Sequence, residues 1–233
     1  MVEQHTGSMG SLCYTMELPR PLIERAIWMD WREMGRRVFV DGPRGFISFM
    51  SPSRVHERYA EAVGDVARAA GRQLGLRLSS QGSSRFRHPN TNRMVEPAAC
   101  FYFGSKAETW LELWTEDRET ATQWARKTPE DLVVEVERTH GDEEKPDLYR
   151  AVGVTEMWRV DVPASGPAVV VILDLQAAGG VREADQSLVL PGATRDLVAN
   201  AVELAAGGGL VELEALIRET LVPLGDGKSG RGG

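Results

Sequence analysis

The sequence predicts an α/β (α+β) protein with a mixed central sheet flanked by helices, and three observations carry that prediction. Short, β-branched apolar runs of strand length recur, such as "DLVVEVE" (131–137) and "PAVVVILDL" (167–175). One long segment, "SPSRVHERYAEAVGDVARAAGRQLG" (51–75), instead has helical periodicity. The order of elements is helix, hairpin, helix, and then a group of strands interrupted by one helix, which suits a layered sheet-and-helix domain.

Taken in order, residues 1–17 show no periodicity and read as a flexible N-terminus. Residues 19–34 read as a helix with Leu22, Ile23, Ala26, Ile27 and Met34 on or near one face. "RVFVDGPRGFISFMS" (37–51) reads as two short strands around the turn Asp41–Gly45. The helix expected over 53–73 has Ser53 as N-cap, an apolar stripe of Tyr59, Val63, Val66, Ala70 and Leu74, and Gly75 as its stop. Strand-like residues follow Gly75, and a further strand is expected from Ala98 to Phe103. The Trp-rich run 105–128 fits either a helix or an insertion. Next come a strand at 132–137, a helix at 146–152, and strands at 156–162 and 168–175 around the turn Ala164-Ser165-Gly166. "SLVLPG" (187–192) reads as one more short strand. The C-terminal segment has helical spacing, with Leu210, Leu213, Ile217 and Leu221 on one stripe. Residues 225–233, rich in glycine, read as a disordered tail. A single domain spanning 18–224 accounts for the rest.

Composition narrows the function classes. A net charge of −7 argues against a protein that coats nucleic acid over its whole surface, although a local basic groove is compatible with it. Two cysteines form no disulfide framework and no paired metal motif, which predicts a reducing, cytoplasmic setting. No run approaches the roughly 18 apolar residues of a membrane span, and the N-terminus has no basic-then-apolar signal sequence. The histidines His56, His88 and His140 match no zinc spacing, and Cys100, within an apolar run, reads as a core residue.

The informative feature is an acid in a strand. Leu132, Val134 and Val136 point to one face, and Val133, Glu135 and Glu137 to the other. Glu135 has valines on both sides, as in a strand covered on both faces. A carboxylate there is costly unless a cation or hydrogen bonds compensate it, and Lys145, ten residues on, is one candidate. A strand carboxylate followed by a lysine is the chemistry of metal-dependent phosphodiester hydrolysis. Hard oxygen ligands hold Mg²⁺, and a nearby ammonium orients water or stabilises charge on the phosphorus.

Three blocks extend the pattern: "MSPSRVHERYAEAVGDV", "SSRFRHPNTNRMVEPAACFYFG" and "PEDLVVEVERTHGDEEKPDLYRAVGVTEMWRVD". Together, over roughly residues 36–162, they resemble the Uma family of restriction-endonuclease-like proteins in the PD-(D/E)XK nuclease superfamily. The resemblance implies a restriction-endonuclease-like core and DNA as substrate of a Mg²⁺- or Mn²⁺-dependent endonuclease. It also implies a homodimer, to which the Trp-bearing surface of 105–125 would contribute. By the same resemblance Glu135 is a metal ligand and Lys145, four residues before Tyr149, the displaced catalytic lysine. His56 and Glu57 match the His-Glu pair that opens the family's first core helix.

One position departs from the family. Where its Glu-Pro-Asp carries a metal-binding aspartate, this chain reads Glu96-Pro97-Ala98, and a methyl group ligates nothing. Three readings stay open: a site disabled by substitution, a member that has lost metal-dependent cleavage, or a site in which Glu96 or another carboxylate has taken over. With Ala98 the metal is expected to be absent or weakly bound, and the alternative function is an inactive nuclease fold that binds nucleic acid or a partner. Arg85, Arg87 and Arg93, clustered with His88 before Ala98, fit a nucleic-acid backbone contact or an ordinary charged hairpin. His140 follows the Glu135 strand and fits a place facing either the site or solvent, and Asp142, Glu143 and Glu144 read as a solvated loop face or, for one of them, a ligand to a second metal.

Overall fold

Two six-stranded sheets organise the computed structural model, which describes residues 2–6, 12–29, 37–87, 90, 92–137 and 144–224. The first sheet contains β1 (Val2–Thr6), β2 (Leu12–Glu17), β3 (Arg37–Asp41), β4 (Phe46–Ser51), β6 (Phe86–Arg87) and β7 (Arg93–Val95). Its order is β1-β2-β4-β3-β7-β6, and every pairing in it is antiparallel. The second holds β5 (Leu78–Gly82), β8 (Ala99–Phe103), β9 (Leu132–Glu137), β10 (Glu156–Asp161), β11 (Val169–Asp174) and β12 (Arg182–Ala184), ordered β12-β11-β10-β9-β8-β5. This second sheet is the expected mixed one: β9 and β10 are parallel and its other pairs antiparallel. Seven helices are present among the described residues: α1 (Arg20–Ala26), α2 (Arg54–Leu74), α3 (Gly104–Glu116), α4 (Arg118–Ala125), α5 (Lys145–Ala151), α6 (Arg195–Ala206) and α7 (Leu210–Thr220).

The mixed sheet separates two layers because its strands alternate. Leu132, Val134, Val136, Trp158, Val160 and Ile172 join the apolar faces of α2, α6 and α7 in the largest core. Val133, Met157 and Leu173 face the other way, toward Leu148 and Tyr149 of α5 and toward Phe86, Val95 and Phe39 of the first sheet. Parallel neighbours need a crossover, and α5 supplies it between β9 and β10. Each fully buried Val, Leu or Ile on these faces contributes roughly 1.5–3 kcal/mol, so both faces of β9 are anchored. A third cluster, with Ile23, Ile27, Val40, Ile47 and Met94, seats α1 on the antiparallel sheet.

The caps of α2 are those its sequence predicts. Ser53 Oγ accepts from the His56 backbone N–H at 3.1 Å, and Gly75 ends the helix at φ 73°, where a Cβ would be strained.

The structure departs from or completes the sequence expectations at several elements. Residues 2–6 and 12–17 pair with each other and with β4 as strands, where the lack of periodicity predicted no regular structure. Thr194 caps α6 by accepting from Leu197 N, and this helix was not anticipated, although Leu197, Val198, Ala201, Val202 and Ala205 lie at helical spacing. "SLVLPG" is a turn and not a strand, since Ser187 and the Leu188 backbone are drawn to Glu156. The run 105–128, left open, is two helices broken at Asp117, whose carboxylate caps the second. Among the described residues no helix is long and apolar enough to cross a membrane. The helix expected over 19–34 ends at Ala26, with residues 27–29 in a turn; residues 30–34 and the tail 225–233 lie outside the described residues, as do His88, His140, Asp142 and Glu143.

Candidate active site

Glu135 stands on the β9 face that α5 and the antiparallel sheet cover, at 3% exposure. Both of its oxygens are engaged. Lys145 Nζ approaches Oε2 at 2.9 Å, and the Tyr149 hydroxyl donates to Oε1 at 2.5 Å. The two donors share a helix face because they are four residues apart on α5. Phe86 packs edge-on to the Tyr149 ring at 5.2 Å between centroids and holds the phenol in place. The convergence of Glu135 and Lys145 expected from the sequence is therefore present. Tyr149 is a third member; the i, i+4 spacing from Lys145 was the signal for it.

Further charges stand near Glu135 on this face. Glu137, two residues along β9, lies 4.0 Å from Lys145. Burial pushes its carboxyl up to about 7, with Glu135 and Asp161 adding repulsion while Lys145 and Arg159 pull the other way. Arg159 is the in-register neighbour of Glu135 on β10, and it pairs with Asp161 at 3.3 Å.

The antiparallel sheet reaches the same place through its charges. Asp41, fully buried, accepts from Arg44 Nε at 2.5 Å, and Arg93 Nε lies 3.5 Å from it. Both arginines continue to Glu144, the residue immediately before Lys145, at 3.1 and 2.9 Å. This network ties the β3–β4 turn to the start of α5.

The other sequence candidates are placed differently. Ala98 precedes β8, and its N–H donates to Val134 O at 2.8 Å, although Val134 already faces Ala99. Two residues thus oppose one, as in a β-bulge. The Ala98 methyl packs in the α2-side core, so it leaves the sheet on the face away from Glu135. Glu57 lies in the first turn of α2, which covers that same α2-side face, with its carboxylate 3.3 Å from His56 Nδ1. Of the three proposed nucleic-acid contacts, Arg93 is directed to Asp41 and Glu144. Arg85 pairs with Glu96 at 2.7 Å, and Arg87 Nε donates to the Ile27 carbonyl at 2.7 Å. Cys100 is a core residue, with burial pushing its thiol up to about 12.

A divalent cation needs several free hard oxygens. Glu135 has given both of its oxygens to α5, Ala98 has none, and Glu96 is held by Arg85 and by Val38 N at 3.3 Å. No cluster of three His, Cys, Asp or Glu able to hold a metal occurs among the described residues. Among the described residues no set of free carboxylates fits a Mg²⁺ or Mn²⁺ centre at Glu135, and Glu96 does not replace the missing aspartate.

A search of curated proteins finds no match to this chain. A family model with the description "Putative restriction endonuclease" matches residues 30–194, which takes in both sheets' central strands, α2, α5 and the Glu135 centre. With well over half of its length matched, and with the mixed helix-flanked sheet that such nuclease-like proteins share, the chain belongs to the Uma2 family.

Proposed function

We propose that this chain is an endonuclease-type protein acting on the phosphodiester backbone of DNA, with its hydrolytic centre impaired at Ala98. The observation that carries the reading is the buried Glu135 carboxylate, met by Lys145 at 2.9 Å; the Ala98 methyl lies on the other face of the sheet, so an aspartate there reaches Glu135 only by turning over at the bulge opposite Val134. A lysine ammonium at that distance neutralises the strand acid and, in an active centre, would stabilise charge developing on phosphate. With Ala98 in place, Lys145 and Tyr149 satisfy Glu135 internally, and the protein folds without needing a cation there.

The test is plasmid nicking with and without EDTA. The chain as it stands should not cut. Ala98→Asp should restore Mg²⁺- or Mn²⁺-dependent nicking, and adding Glu135→Ala or Lys145→Ala should lower the rate by roughly 10²–10³-fold. An Ala98→Asp protein that binds metal by calorimetry yet cuts no nucleic acid would sink the reading and leave a binding module in its place. The proposal includes a two-fold dimer through α3 and α4, where Trp114 (43% exposed) and Leu111 (37%) are presented to solvent. Light scattering that returns the mass of a single chain would remove that element.

A further inference from the structure

A groove of about 740 Å³ lies away from the Glu135 centre, between the β5–β6 connection, the end of α4 and the approach to β9. Arg85, Arg87, Arg126 and Lys127 line it, together with Trp28 and the buried Glu130. In a chain of net charge −7 this is a local reversal of sign. Arg85 is neutralised by Glu96, and the Arg87 Nε bond goes to an uncharged carbonyl. Arg126 and Lys127 are exposed, and no carboxylate pairs with them or with Arg87 among the described residues. Like charges therefore face one another, and among the described residues Glu96, already paired with Arg85, is the carboxylate that acts on Arg87. The Arg87 guanidinium is held below its ordinary value, first by burial and then by repulsion from Arg85 and Arg126. The wall acid Glu130 is buried, which raises its carboxyl above the ordinary value.

The aromatic group is placed beside this charge. The Arg87 guanidinium lies 5.0 Å from the Trp28 ring centre, and Trp28 remains 75% exposed. Exposing an indole is costly in water, and its π-face is a platform for a nucleobase. Guanidinium forks suit phosphate oxygens. A peptide carboxylate would use the charge but not the indole.

We propose that this groove binds a nucleoside phosphate, with the phosphate on Arg87, Arg126 and Lys127 and the base on Trp28. The ligand is either a free nucleotide or a unit of a single strand. This assignment deepens the nucleic-acid reading above and rests on it for preferring a nucleoside phosphate to another anion. The groove is separated from Glu135 by the Phe86–Tyr149 pair, so binding here does not require a working hydrolytic centre.

The experiment is fluorescence anisotropy of a labelled oligothymidylate titrated with the full chain, whose Ala98 keeps cleavage out of the measurement. Saturable binding is expected. Arg126→Glu combined with Lys127→Glu, both on exposed positions, should weaken it at least tenfold. The same double variant should flatten the logarithmic salt slope by about 1.4, since each single-strand phosphate contact contributes roughly 0.7. Trp28→Ala should weaken binding roughly fivefold or more, with the salt slope unchanged, which a merely structural tryptophan would not do. Adenosine monophosphate that displaces the strand identifies the free nucleotide as a ligand, and failure to displace identifies the strand. Absence of saturable binding overturns the proposal. So does unchanged affinity in the charge-reversed variant with an unaltered melting curve, or displacement by polyglutamate as effective as by unlabelled oligonucleotide. Nicking by the Ala98→Asp protein is read separately, so loss of the groove and loss of the nuclease reading give different results.

Discussion

Glu135 and Glu156 are both strand acids of the mixed sheet, on adjacent parallel strands, at 3% and 0% exposure, yet they are compensated in opposite ways. Glu156 faces the α2 side with Trp158 and accepts from three uncharged donors: Trp158 Nε1 at 2.6 Å, Ser187 Oγ at 2.6 Å and Leu188 N at 2.5 Å. Those donors fix the 187–190 turn over the sheet. Glu135 faces α5 and is met by an ammonium on a long stem and by a phenol. A buried acid whose partners are backbone and core groups of a neighbouring turn and of its own strand is a structural fastener. A buried acid whose partner is a lysine at a helix start keeps a charge that a substrate or an ion can compete for. The acid alone does not distinguish these cases; its partners do.

The strongest test of that distinction is Glu156→Ala. It strands three buried donors, each costing about 1–3 kcal/mol, so urea unfolding should show a loss of roughly 3–9 kcal/mol. Glu135→Ala strands one phenol and a partly exposed ammonium and should cost less. If it costs as much as Glu156→Ala, the two acids are not different in kind.

A smaller effect is expected from Lys145→Met, which leaves the Glu135 carboxylate with Tyr149 alone and should destabilise by about 3 kcal/mol. Glu135→Gln in the same chain should recover most of it, giving a clear non-additivity in a double-mutant cycle. Additive costs would mean that the ion pair carries little of the stability at this centre.

The smallest and most selective expectation concerns pH. Burial raises the Glu156 carboxyl above its ordinary value, its hydrogen bonds opposing the shift only in part. Between the unfolded and the raised folded value the native state holds more protons, so stability falls as pH rises through that window. Glu156→Gln should reduce that slope in a pH series of melting curves, leaving the part carried by Glu137 and Glu130. A variant with the parent's slope would show that another group is responsible.

How far the sequence reaches is seen in particular residues. β9 was legible because period two separates Val134 from Glu135 without reference to the rest of the chain. The α2 boundaries were legible because Ser53 and Gly75 act locally. Lys145 was legible through family resemblance, and spacing would have added Tyr149. Arg93 was not, since its partner Asp41 is far away in sequence and only the hairpin geometry joins them. Nor was the direction of Ala98, because a two-against-one pairing at Val134 shifts the side-chain alternation that a regular strand would have given it. Arg126 and Lys127 were passed over, as exposed charges at a helix end are ordinary until the fold sets them opposite Arg87.

Lys145 opens α5, a helix of seven residues. That end of a helix presents unpaired N–H groups and a positive macrodipole, where a cation is disfavoured by a few tenths of a kcal/mol and an acid would be preferred. Glu144 before it and Asp147 in the first turn offset the penalty. The segment is therefore locally frustrated: its own helix-forming preference and the demand of the neighbouring strand pull toward different residues. A sequence optimised for stability alone would settle that conflict in favour of the helix. Keeping the lysine leaves α5 a little weaker than it need be, and retains at the helix start the one cation that the strand acid requires.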